Sequence, residues 1–152
     1  MARKDAAEAL LMLGNQLCFA VYSTAHAFNR VYKPLLDRLG LTNPQYLVML
    51  ALWERDGVPV KDIGERLFLD SGTLTPLLKR LEAAHVIKRT RSREDERQVL
   101  VALTSQGQAL KEKARGVPPS ILAASGCSIG ELTALKKNLV ALRDQLNAAV
   151  GE

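Results

Sequence analysis

The sequence predicts a mainly α chain with a small β-wing: a helix-turn-helix, a charged hairpin after it, and long helices on either side. Three observations carry this reading. Residues 60–104 read VKDIGERLFLDSGTLTPLLKRLEAAHVIKRTRSREDERQVLVALT, two helical periods split by a short break and followed by two strand-like runs. Apolar residues near the N-terminus recur at three- and four-residue steps, and a second such series follows a capping pattern near the C-terminus.

In chain order, Leu10, Leu13, Leu17, Val21, Ala25, Phe28, Val31 and Leu35 predict one long amphipathic helix, which Pro34 should bend or interrupt and Gly40 should stop. Thr42 to Gln45 then reads as a helix start, leading to Tyr46, Leu47, Met49, Leu50, Leu52 and Trp53, a segment suited to the core. Val60 to Leu67 is a short amphipathic helix and Phe68 to Asp70 a break. Ser71 to Ala84 is a second helix, capped by Asp70 or Ser71. Its Leu74, Leu77, Leu78 and Leu81 share one face, so Thr73, Thr75, Pro76, Lys79 and Arg80 point elsewhere.

Val86 to Arg91 and Gln98 to Leu103 read as strands, the second alternating Val99, Val101 and Leu103 on one side, with Ser92 to Arg97 between them. At the far end Ser128 and Glu131 form a capping box ahead of Leu132, Leu135, Leu139, Leu142 and Leu146. The expected organisation is a dimerisation helix over 5–40, a DNA-binding core over 42–104, and C-terminal dimerisation helices over 105–152. Two long terminal helices carry more apolar surface than a small central domain covers. A second copy would bury it, and a symmetric dimer sets two reading helices about 34 Å apart, one DNA turn. The alternative is that the terminal helices pack only on each other.

Composition bounds the function. The chain has 152 residues, 47% of them hydrophobic and 24% charged, which suits one sizeable core and argues against disorder. Neither a secretory leader nor a membrane-length apolar run is present, and two cysteines without metal-ligand spacing suit a reducing cytoplasm, with no cofactor and no metal expected. His26 and His85 read as packed or solvent-facing. The formal net charge is +5, and residues 79–97 hold seven basic residues against four acidic ones, so +3 of it is concentrated there. A solvated hairpin is the plain reading of such a patch alone; after a helix-turn-helix it points to double-stranded operator DNA. The candidate contacts are Ser71, Thr73, Thr75, Lys79 and Arg80 from the reading helix and Arg93 and Arg97 from the wing, with Asp95 positioning Arg97.

These residues resemble the MarR family of dimeric winged-helix regulators, whose wing signature is met by Asp95 and Arg97 in EDERQVLVALT. The blocks NQLCFAVYS, YKPLLDRLGLT, PQYLVMLALWE and LDSGTLTPLLKRLE resemble more narrowly the organic-hydroperoxide-sensing repressors, the OhrR type. That resemblance implies a homodimeric repressor of a pseudo-palindromic operator, not a turnover enzyme, in which Cys18 is the peroxide-reactive thiol. In the two-cysteine branch a second thiol, matched by region to Cys127, forms a disulfide with the first across the dimer. Tyr32 matches one tyrosine of the thiolate site. Asn43 stands where relatives usually have a second, and Tyr22 and Tyr46 either contribute or simply pack.

Periodicity alone reads Cys18 as a small buried residue. The resemblance instead makes it a thiolate, held by phenol donors and walled by Leu17, Phe19, Val21 and Phe28, which would favour alkyl or lipid hydroperoxides. A repressor controlled by a small aromatic ligand, a thiol peroxidase and an architectural DNA protein are the competing classes.

Overall fold

A computed structural model describes residues 2–151. By contact the chain divides into two compact units, one running to Ala114 and one from Arg115. The first holds α1 (Ala2–Ala9), a 3-10 turn (Leu13–Asn15), α2 (Leu17–Asp37), α3 (Asn43–Glu54), β1 (Val58–Pro59), α4 (Val60–Leu67), α5 (Ser71–Ala83), β2 (Ile87–Arg91), β3 (Val99–Leu103) and α6 (Ser105–Ala114). The second holds α7 (Val117–Ser125) and α8 (Ile129–Val150).

The single N-terminal helix expected from Leu10 to Leu35 is not formed. Its apolar period continues, but the backbone breaks between Ala9 and Leu17. Gly14 is a poor helix former. Asn15 donates its amide to the Ala9 carbonyl, and Gln16 donates to Leu10 and Met12, so side chains satisfy carbonyls that a continuous helix would have used. Helix α2 then runs through Pro34 and ends one turn later. Gly40, at φ 68°, and Leu41 send their N–H groups back to Asp37 and Leu36, closing the end as the glycine predicted.

Helix α3 starts on a capping box in which Thr42 accepts from the Gln45 N–H and Gln45 accepts from the Thr42 N–H. It is nearly all core: Tyr46, Val48, Met49, Ala51 and Leu52 are buried. Against it pack α4, α5, α6 and the sheet. That sheet is antiparallel in the order β1-β3-β2, with Val58 opposite Val101 and Arg89 opposite Val101 on the other side. The two-residue β1 gave no sequence signal, being too short for alternation to register. Asp56 closes it, its carboxylate accepting the N–H groups of Gly57 and Leu103.

Helix α6, expected from the sequence among the C-terminal dimerisation helices, packs in the first unit against α3 and β3. The Trp53 indole donates to the Gly107 carbonyl at 2.9 Å and Lys111 donates to the Trp53 carbonyl at 3.2 Å. In the second unit α7 begins on a Val-Pro-Pro run and stops at Gly126, φ 66°, while Ser128 and Glu131 form the expected capping box on α8.

Gly107 sits where α6 crosses the chain entering β2. A Cβ there would lie 2.1 Å from the Val86 carbonyl oxygen, which is backbone and unable to swing aside. Gly107→Ala should cost on the order of 2–3 kcal/mol through overpacking, read as a fall in the thermal midpoint. A midpoint within a degree of the parent would contradict this packing.

Candidate nucleic-acid interface and thiol site

The reading helix is aimed by a tight turn. Helix α4 ends at Phe68 in the left-handed region (φ 54°, ψ 39°), an uncommon conformation for a non-glycine residue, and the Leu69 N–H returns to the Gly64 carbonyl. Asp70, rather than Ser71, is the cap: its carboxylate accepts the Thr73 N–H at 2.7 Å. That bond holds the Asp70 carboxyl below its ordinary value, with further help from the Thr73 hydroxyl. Leu74, Leu77, Leu78 and Leu81 are buried on one face. Ser71, Thr73, Lys79 and Arg80 are therefore exposed on the others, with Thr75 half-buried.

The wing is a regular hairpin whose tip is internally bonded. Ser92 is buried; its N–H donates to the Gln98 carbonyl and its hydroxyl oxygen accepts the N–H groups of Glu94 and Asp95. The Asp95 carboxylate accepts the Arg97 N–H at 3.0 Å, so this acid shapes the backbone that carries Arg97. Arg93, Asp95 and Arg97 are all exposed. Between α5 and the wing lies an open cleft of about 380 Å³, lined by Pro59, Lys61, Thr75, Arg89, Arg97 and Gln98 among others. Sequence reasoning missed Glu82 and Arg89, whose carboxylate and guanidinium pair between the last turn of α5 and β2. Seven residues separate them, and no helical or strand spacing announces such a pair.

Neither thiol is on α5 or the wing: Cys18 is on α2 and Cys127 precedes α8. Cys18 is exposed, the second residue of α2, where free backbone N–H groups give the helix a partial positive charge. The buried-core reading of this cysteine therefore does not hold within one chain. Tyr22, four residues on, shares its face and stands edge-on to His26. Tyr32 is fourteen residues from Cys18 on the same helix, about 21 Å along the axis at 1.5 Å per residue. One chain does not bring that thiol and that phenol together. Tyr32 is instead half-buried in a run of rings, Phe28 to Tyr32 to Tyr46 to Trp53, with centroids 6.0–6.4 Å apart. Burial pushes the Tyr32 phenol up; burial and then the neighbouring Tyr32 push Tyr46 up. Both stay protonated donors near neutral pH. Asn43 donates to the Asn29 amide oxygen at 2.6 Å, linking α3 to α2 by a bond a tyrosine would not make in this form. Cys127 is half-buried before α8, its N–H donating to the Ser125 hydroxyl and its sulfur 3.5 Å from the Ser125 carbonyl.

A family model for transcriptional regulators of the SarA/Rot type matches residues 30–114, more than half the chain. The chain belongs to the MarR/SarA-type winged-helix transcriptional regulators. This regulator is 55% identical over 139 residues to the HTH-type transcriptional regulator TtmR of Methylorubrum extorquens, covering 91% of this chain and 71% of that one. It is 50% identical over 137 residues to the organic hydroperoxide resistance transcriptional regulator of Bacillus subtilis, covering 90% and 93%. AbfR of Staphylococcus epidermidis has the same fold, with a TM-score of 0.74 at 35% identity over 97% of this chain and 99% of that one. AbfR has been seen reduced on DNA, overoxidised on DNA and with a disulfide formed.

The cap of α5 carries a pH signature. The folded Asp70 carboxyl lies below its unfolded value, so its contribution is present above about pH 4 and is lost as pH falls through the lowered folded pKa. Asp70→Asn keeps a side-chain acceptor without the charge, and its acid unfolding should begin at higher apparent stability relative to neutral pH than the parent's. Identical pH dependence in the two proteins would remove Asp70 from the acid response.

Proposed function

We infer that this regulator is a homodimeric, DNA-binding repressor that senses organic hydroperoxides at Cys18 and then releases a pseudo-palindromic operator. The observation that carries the reading is Cys18 itself, an exposed thiol on the first turn of a helix whose apolar side chains are left uncovered. Leu17, Phe19, Val21, Tyr22, Phe28 and Val31 of α2 are exposed, α2 buries only Leu36, and α8 buries nothing. Uncovered stripes of this extent suit a second copy. Antiparallel pairing of two α2 helices would answer the 21 Å gap, setting Tyr32 of one chain near Cys18 of the other. The Bacillus subtilis relative named for organic hydroperoxide resistance and the redox forms of AbfR support the same reading.

The chemistry follows from the thiolate. Its sulfur attacks the outer oxygen of R–O–O–H; the S–O bond forms as the O–O bond breaks, and the alkoxide leaves as alcohol after taking a proton. Cys18 is then a sulfenic acid. A second thiolate, Cys127 in this proposal, displaces hydroxide, which leaves as water, and an intersubunit disulfide results. Forming it needs Cα atoms within roughly 7 Å, so helices of the dimer must shift and the two reading heads change their spacing. Ser71, Thr73, Thr75, Lys79 and Arg80 would meet the major groove. Arg93 and Arg97 would meet the minor groove, with Asp95 holding the Arg97 backbone.

Cys18→Ser should bind operator with the parent's affinity and keep it when cumene hydroperoxide is added, in a mobility-shift titration. Release by that variant on oxidation would make another group the trigger. Arg97→Ala should weaken operator binding by about 1–3 kcal/mol, roughly five- to 150-fold, with relaxed preference at minor-groove steps. Unchanged affinity at moderate salt would exclude wing insertion.

A further inference from the structure

A reading helix and a wing reach adjacent grooves together only if the angle between them is held. One side-chain pair spans the two elements. Glu82, in the last turn of α5, accepts the Arg89 backbone N–H through Oε2 at 2.9 Å and the Arg89 guanidinium through Oε1 at 3.0 Å. A single carboxylate thus grips both the main chain and the side chain of one β2 residue, restraining sliding and rotation of the strand at once. The pair is partly shielded, with side-chain exposures of 39% for Glu82 and 25% for Arg89. Arg89 Nε is buried without a hydrogen-bond partner, so the guanidinium is anchored from the Glu82 side. Arg89 also lines the cleft that Thr75 of α5 and Arg97 of the wing line.

We propose that Glu82 is a positioning residue for the DNA interface, pinning the wing to the end of the reading helix through Arg89 so that both meet their grooves in register. The inference rests on the DNA-binding reading above. Simple electrostatics predicts the opposite sign for its key variant. Glu82 is a negative charge beside a basic face, and deleting it would by charge alone tighten binding to a polyanion. A positioning role makes the same deletion weaken binding.

The test uses the full-length reduced protein and a duplex selected by it from a random library, with affinities measured by fluorescence anisotropy at fixed salt. Glu82→Ala should lose at least about fivefold in affinity, and Glu82→Gln, which keeps an amide oxygen for the Arg89 N–H, should regain part of it. Arg89→Met should cost little more when added to Glu82→Ala, because the pair acts as a unit. Glu82→Ala should also lose discrimination at base steps beneath the wing while keeping it at base pairs beneath α5, whereas a general loss of structure would erase both. Tighter or equal binding by Glu82→Ala, or independent additive effects of the two substitutions, overturns the proposal. A parent protein with no preference for its selected duplex overturns the DNA-binding reading, and this inference with it.

Discussion

The buried leucine face of α5 is the constraint from which the winged-helix unit follows. Leu74, Leu78 and Leu81 are each about 1% exposed and Leu77 is 7% exposed, packed with α3, α4 and β2. Fully burying a side chain of this kind contributes roughly 1.5–3 kcal/mol. With four of them on one stripe, the rotation of α5 about its axis is set. The opposite surface has no freedom to turn inward, so Ser71, Thr73, Lys79 and Arg80 are presented outward by default. The Asp70 cap fixes where the helix begins, and the Glu82–Arg89 pair ties its end to the wing.

Much of this was legible in the sequence because it is local. Helix α4, the break after it, the α5 face, the hairpin and the Ser128–Glu131 capping box all announce themselves through spacing within a few residues. The N-terminal helix misled for a related reason. Apolar period persists across residues 10–16, but period reports which side chains would share a face, not whether backbone bonds continue. Here the amides of Asn15 and Gln16 take the carbonyls instead. Strand β1 and the Glu82–Arg89 pair escaped because their partners are distant or unpatterned. Helices α6 and α7 carry weak amphipathic signals, and α6 depends on Gly107, a residue ordinarily read as a helix breaker.

The geometry of the proposed thiol site is not legible in the sequence. Cys18 and Tyr32 share one helix, and a straight helix keeps them apart however the rest of the chain folds. In the proposed reading their cooperation would come from a second copy. The same helix leaves its apolar side chains exposed, so the surface that would take a second copy and the proposed chemistry lie on the same element. Asn43, bonded to Asn29, gives the α2–α3 junction an amide link.

Trp53 is the chain's only tryptophan, and it is wedged edge-on against Tyr46 with its indole nitrogen bound to α6. Emission excited at the red edge of the absorption band, where only tryptophan absorbs, therefore originates at one known place, inside the unit that ends at Ala114. Its colour and intensity follow the integrity of that unit, and the segment from Arg115 onward can rearrange without contributing a second emitter to confuse the signal.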